Sequence, residues 1–165
     1  MEGALQYEEI KIGNRWKSLC RTVTESDVVQ FAGMTGDFNP LHVDQEYAAK
    51  STFRRPIAHG LLGLAWVAGL GSHCPLVDTI AFLGIDQWDF KLPVYVGDTM
   101  HVVTEVVSKQ PTGRRRGEIC WQRALCNQKD EVVQVGIFRT LVACGAAKQS
   151  VSESYPEQPG RRRAG

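Results

Sequence analysis

Asp37 and His42 stand five residues apart in Asp37-Phe-Asn-Pro-Leu-His42, where Pro40 fixes its own φ and pushes Asn39 away from the α region. A loop stiffened in this way can aim both side chains at one water. At neutral pH a carboxylate only accepts hydrogen bonds, whereas a neutral imidazole carries one N–H and one lone pair. The pair is therefore suited to general acid–base chemistry, with one group taking a proton from water and another returning one. Residue type does not decide which takes the proton. Each also has a plainer reading: Asp37 as the cap of a helix end, His42 as an ordinary surface or packed histidine.

The elements around the loop can be read from their own signals. Up to residue 23 the chain turns at Gly13-Asn14; Trp16, Leu19 and Val23 fit helical spacing, but Thr22-Val-Thr24 favours an extended segment, which is the preferred reading. Thr24-Glu-Ser-Asp27 has the form of an N-cap with an acid three residues on, and Val28, Phe31 and Ala32 repeat at helical spacing before Gly33 and Gly36. This predicts a short helix over 25–34 that feeds an irregular, rigid loop at 37–42. Asp44 can cap a second short helix through Tyr47-Ala-Ala49, which ends by Arg54-Arg55-Pro56. A third helix over 60–72 is apolar on every side and should be buried all round. Gly63 and Gly69 each cost about 1 kcal/mol relative to alanine in a helix interior, so close approach of a sheet or of a ligand chain must favour them.

From Thr79 onward the pattern changes to runs rich in Val, Ile, Thr and aromatics at 80–90, 99–109, 117–127 and 131–143. Gln110-Pro-Thr-Gly113 and Asn127-Gln-Lys-Asp130 are short enough to make antiparallel hairpins. The expected fold class is α+β, with the central helix packed on a curved, mainly antiparallel sheet and one domain over 1–144. Residues 145–165 have little apolar content and are expected to form a disordered tail.

Bulk properties narrow the function. The balance of 19 basic and 18 acidic side chains, net +1, offers no field that would gather nucleic acid. The longest apolar run, Leu61 to Leu70, is about half of what a bilayer crossing needs. Five scattered cysteines without Cys-x-x-Cys spacing suggest reduced thiols and no zinc site. A cytoplasmic protein without nucleic-acid or membrane partners is expected.

The stretch Phe31-Ala-Gly-Met-Thr-Gly-Asp-Phe-Asn-Pro-Leu-His-Val-Asp44, followed by Arg55-Pro-Ile-Ala-His-Gly60, resembles the hydratase motif of the MaoC-like dehydratase family, which includes the (R)-specific enoyl-CoA hydratases. The resemblance continues in less detail through Phe90-Lys-Leu-Pro-Val-Tyr-Val-Gly-Asp-Thr99 and spans roughly residues 24 to 144. It implies a hot-dog fold, in which an antiparallel sheet wraps a long helix and two units pair into a homodimer. It also implies a hydro-lyase of fatty acid metabolism, acting on a trans-2-enoyl or (R)-3-hydroxyacyl thioester. Coenzyme A or acyl carrier protein would enter only as part of the substrate, with no cofactor and no metal.

By the same resemblance Asp37 and His42 bind and activate the water, and Gly60 supplies a backbone N–H to the enolate oxygen. The free N–H groups and positive dipole end of a helix agree with that role. Asn39 falls on the motif's Asn, either ordering the loop or serving as a turn former. His59 is read as a packing or loop-bonding residue in preference to a pocket wall. Arg55, with Arg54, is a candidate for the phosphates of coenzyme A, as is Arg114-Arg115-Arg116, although such runs are more often solvated. Trp66 and the leucines of the central helix would line an acyl pocket or simply fill the core. Some relatives carry a hydroxyl on this helix, and none stands between Leu61 and Gly71. Two rivals remain: a hot-dog thioesterase, disfavoured because Ala58 to Ser72 holds no carboxylate, and a non-catalytic acyl-binding subunit, disfavoured because the pair is intact.

Overall fold

The computed structural model describes residues 3–145. The expected tail thus lies, apart from Gly145, outside the described residues. A 3-10 turn at Tyr7–Glu9 leads into two short strands, β1 (Arg15–Lys17) and β2 (Arg21–Thr22), so the extended reading of this region holds. Helices α1 (Glu25–Thr35), α2 (Pro40–Val43), α3 (Gln45–Lys50) and α4 (Gly60–Ser72) follow. Four long strands complete the domain: β3 (Thr79–Phe90), β4 (Thr99–Pro111), β5 (Arg116–Cys126) and β6 (Val132–Ala143).

The sheet runs in the order β1-β4-β5-β6-β3, every pair antiparallel, with β2 also paired to β4. Alternate residues of a strand face opposite sides. Met100, Val102, Thr104 and Val106 of β4 and Ile119, Trp121 and Leu125 of β5 turn into the core, where α4 contributes Leu62, Trp66 and Val67. Helix α4 packs directly on β4 and β5. This is the hot-dog arrangement of the α+β class, an open antiparallel sheet curved around one helix.

Local chemistry explains how the loop is held. The Thr24 hydroxyl accepts from Asp27 N–H at 3.2 Å while the Asp27 carboxylate accepts from Thr24 N–H at 2.9 Å, a reciprocal cap that starts α1. Gly36, at φ 79°, ends it in the left-handed region. The loop beyond is more regular than expected. The Asn39 side chain accepts from Leu41 N–H at 3.0 Å, and with Pro40 at the first helical position this builds the single turn α2. The Asp44 carboxylate then accepts from Tyr47 N–H at 2.9 Å to start α3.

The structure corrects the reading of α4 as buried all round. Leu61 is 60% exposed, and Ala65, Ala68, Gly69 and Ser72 share its outward stripe. Gly63 behaves as expected, because a Cβ there would run into the Gln134 amide of β6. Gly69 does not: a Cβ on it would meet nothing within 4 Å. Strand β3 is an edge of the sheet and leaves Ile80, Phe82 and Leu83 exposed by 51%, 54% and 42%.

Candidate active site

Asp37 follows the Gly36 cap and precedes α2, so its carboxylate stands at the junction of two helices. Its own N–H donates to Thr35 Oγ1 at 3.3 Å, and its Oδ1 accepts from Asn39 N–H at 3.3 Å. The side chain remains 54% exposed. His42 sits one turn further on, in α2, and is half-buried. Its Nδ1 lies 2.8 Å from the Ile57 carbonyl oxygen. A carbonyl can only accept, so Nδ1 carries a proton, and in the neutral ring the lone pair is on Nε2.

His59 completes the group. It is 3% exposed, and its Nε2–H donates to the Asp37 backbone carbonyl at 2.9 Å while lying 3.9 Å from Asp37 Oδ2. Its ring stacks on that of His42, centroids 3.8 Å apart, and packs against Phe31 at 5.1 Å. His59 therefore bonds and packs the loop, and its buried Nδ1 has no partner among the described residues. One donor atom from each of Asp37, His42 and His59 falls within 4.8 Å of the others. Asp37 and His42, five residues apart in the chain, thus stand in one cluster with His59.

Gly60 is the first residue of α4, immediately after His59. The first four N–H groups of a helix have no intrahelical partner. Here the carbonyl of His59 takes the Leu62 and Gly63 N–H groups, and the Gly60 N–H has no acceptor among the described residues. The Gln134 amide donates to the Gly60 carbonyl at 3.0 Å and fixes this end of the helix. A Cβ at position 60 would come within 2.8 Å of the Phe90 ring. His42 and Gly60 open onto one cavity of about 290 Å³, walled by Phe53, Phe90, Val94 and Gln134. A second cavity of about 220 Å³ lies on the other side of His42, between Val29, Ile57, Val96 and Arg55. Arg55 stacks its guanidinium over the Tyr95 ring at 3.9 Å.

Other sequence candidates fall elsewhere. Trp66 is 9% exposed in the core with the Arg21 guanidinium 4.4 Å above its ring, and it does not line the cavity of His42 and Gly60. Arg114, Arg115 and Arg116 belong to the exposed β4–β5 hairpin, away from these cavities. Sequence reasoning missed Gln134 and the Ile57 carbonyl. Gln134 is a polar residue set between Val133 and Val135, a signal that could have drawn attention to it; a backbone carbonyl leaves no trace in residue type.

The model of the MaoC like domain matches residues 10–120. The chain is 37% identical over 107 residues to the (R)-specific enoyl-CoA hydratase of Rhodospirillum rubrum, covering 64% of this chain and 72% of that protein. It is 34% identical over 133 residues to the 3-hydroxybutyryl-CoA dehydratase of Methylorubrum extorquens, covering 80% of each. The crystal structure of the MaoC-like dehydratase from Rhodospirillum rubrum superposes with a TM-score of 0.79 at 29% identity, over 87% of this chain and 99% of that one. Because the matched span carries the loop of Asp37 and His42, the start of α4 and most of the sheet, the chain belongs to the MaoC-like dehydratase family.

Proposed function

We propose that this protein adds water to a trans-2-enoyl thioester, or removes it from the (R)-3-hydroxyacyl thioester, with Asp37 and His42 as its proton-transfer pair. The observation that carries this reading is the free lone pair of His42 Nε2, set by the Nδ1–H bond to Ile57, beside the Asp37 carboxylate and in the same cavity as the Gly60 N–H. In the forward direction the water oxygen bonds to C3 and its proton passes to the pair. The C2=C3 electrons move onto the thioester, whose oxygen becomes an enolate held by the Gly60 N–H. A proton from the pair then returns to C2, so that one water is consumed and no redox partner is needed. His59 acts through the others, holding the Asp37 carbonyl and backing the His42 ring. Arg55, exposed, stacked on Tyr95 and lining the neighbouring cavity, would meet a phosphate of the carrier.

The test follows loss of the conjugated-thioester absorbance of a short trans-2-enoyl-CoA. Turnover supports the reading. Thiol release without hydration would make the protein a thioesterase, and inertness toward every chain length and carrier would make it a binding subunit. Proton transfer by side chains and a backbone donor needs no metal or cofactor. EDTA treatment is accordingly expected to leave kcat unchanged, measured on the same absorbance.

The working unit we propose is a homodimer. The outward stripe of α4 and the apolar residues of edge strand β3 are two unpartnered surfaces, and an exposed strand edge invites pairing with a second copy. Light scattering should give twice the 18.3 kDa chain mass, and Phe82→Glu should shift the protein to monomer. A reducing cytoplasm is the proposed setting, supported by the free thiols of all five cysteines. Among the described residues no helix is long and apolar enough to cross a membrane.

A further inference from the structure

Arg123 lies on the inner face of β5 and is 9% exposed. Its Nη2 donates to the Gly71 carbonyl at 3.1 Å, and its guanidinium carbon sits 4.9 Å from the centroid of the Phe138 ring. Its Nε has no partner, and among the described residues no carboxylate lies within 4 Å of it. Burial pulls its pKa down to about 10, which still leaves a cation at neutral pH. The nearby Cys74 supplies no counter-charge, since burial pushes its thiol up and keeps it protonated. Taking an unpaired charge out of water is unfavourable unless an opposite charge arrives to meet it.

The surroundings make room for such a charge. A Cβ on Gly71 would stand 2.8 Å from Nη1 and 2.9 Å from Cζ, so α4 is notched where the guanidinium enters. Beside it opens a cavity of about 360 Å³ walled by Trp121, Phe138 and Thr140, with Ala68 and Phe82, which also lie on the surfaces proposed to meet a second copy, at its outer side. Closing the C-terminal end of α4 accounts for a single N–H of five. The rest of the fork has the planar geometry that pairs with a carboxylate, and aromatic walls suit an apolar body behind it.

We infer that the cavity between the C-terminal end of α4 and strands β3, β5 and β6 binds an apolar carboxylate, with Arg123 as its recognition residue. Two sources have this chemistry: the free end of a dicarboxylic acyl thioester, which rests on the hydratase reading, and a separate free carboxylic acid. Helix α4 links this cavity to the Gly60 end, about 16 Å away at 1.5 Å per residue.

The experiment uses the full chain as wild type, Arg123→Met and Arg123→Lys. In one arm, octanoate is titrated by calorimetry, with octanol as the neutral control. In the other, kcat/KM is compared for a ten-carbon 2-enoyl-CoA ending in carboxylate and for 2-decenoyl-CoA. Octanoate affinity should fall at least about tenfold in Arg123→Met, the loss expected for a charge-assisted bond, with Arg123→Lys between the two. Octanol binding should not change. The melting temperature of Arg123→Met should stay at or above that of wild type, because it removes an unpaired buried charge.

A wild-type preference for the carboxylate-ended thioester that disappears in Arg123→Met assigns the site to the substrate. Arg123-dependent octanoate binding without that preference assigns it to a separate acid. Octanoate binding that is absent, or equal in all three proteins, together with no Arg123-dependent preference between the thioesters, overturns the inference. If no enoyl thioester is hydrated but octanoate still binds through Arg123, the hydratase reading fails and the site stands.

Discussion

Asp37→Asn and His42→Ala are each expected to lower the hydration rate at least ~100-fold, the low end of what a positioned acid or base contributes. The two changes act on one proton relay, so the double variant should lose little more than the worse single one. Asp37→Asn is the cleaner probe. An amide oxygen can keep the contact with the Asn39 N–H and the loop its shape, while the carboxylate proposed to share in the proton transfer is gone. His42→Ala also removes the ring stacked on His59 and the bond to the Ile57 carbonyl, so part of its loss comes through geometry. His42→Gln separates the two effects, because its amide N–H can still reach a carbonyl but its carbonyl oxygen is a far weaker base. Stopped-flow absorbance at saturating substrate reads the chemical step, and melting curves check the fold. Near wild-type rates in Asp37→Asn and His42→Gln would remove the pair from the mechanism.

Much of this architecture is legible in the chain because its signals are local. The cap formed by Thr24 and Asp27, the helix from Gly60 to Ser72 and the four long strands each follow from a few neighbouring residues, and the structure places them within a residue or two. The pairing of β3 with β6 instead of β4 is different in kind. It brings together segments separated by some forty residues, and no local pattern encodes which strand a free edge will meet. The outward stripe of α4 escaped for a related reason. An all-apolar helix looks buried whether its cover comes from its own sheet or from a second copy of the chain.

The site divides along the same line. Asp37, His42 and Gly60 could be picked out because they stand in a short, densely worded segment. The sequence marks His59 as a packing or loop-bonding residue, but its stacking under His42 depends on the path from α3 to α4. Arg123 left a fainter mark. It shares the phase of Ile119, Trp121 and Leu125, the core-facing positions of β5, and a charge in that phase is where an alternating strand announces something other than packing.

Gly60→Pro tests the oxyanion donor at the scale of one hydrogen atom. Proline is well suited to the first position of a helix, where the missing N–H breaks no intrahelical bond. Its main demand falls on the preceding residue, which must be extended, and His59 already has φ −59° and ψ 135°. The backbone can therefore accept proline while losing only the N–H proposed to hold the enolate. The added ring carbons would press on Phe90, since even a Cβ comes within 2.8 Å of it. Gly60→Ala serves as the control, because it brings the same Cβ but keeps the donor, and Phe90 is 55% exposed and free to yield. Relative to Gly60→Ala, the proline variant should lose about 10²–10³ in kcat, the usual effect of deleting one such donor. Binding of a saturated acyl-CoA, which develops no enolate, should differ little between the two. An equal loss in both variants would trace the effect to crowding at Phe90 and leave Gly60 as a purely structural glycine.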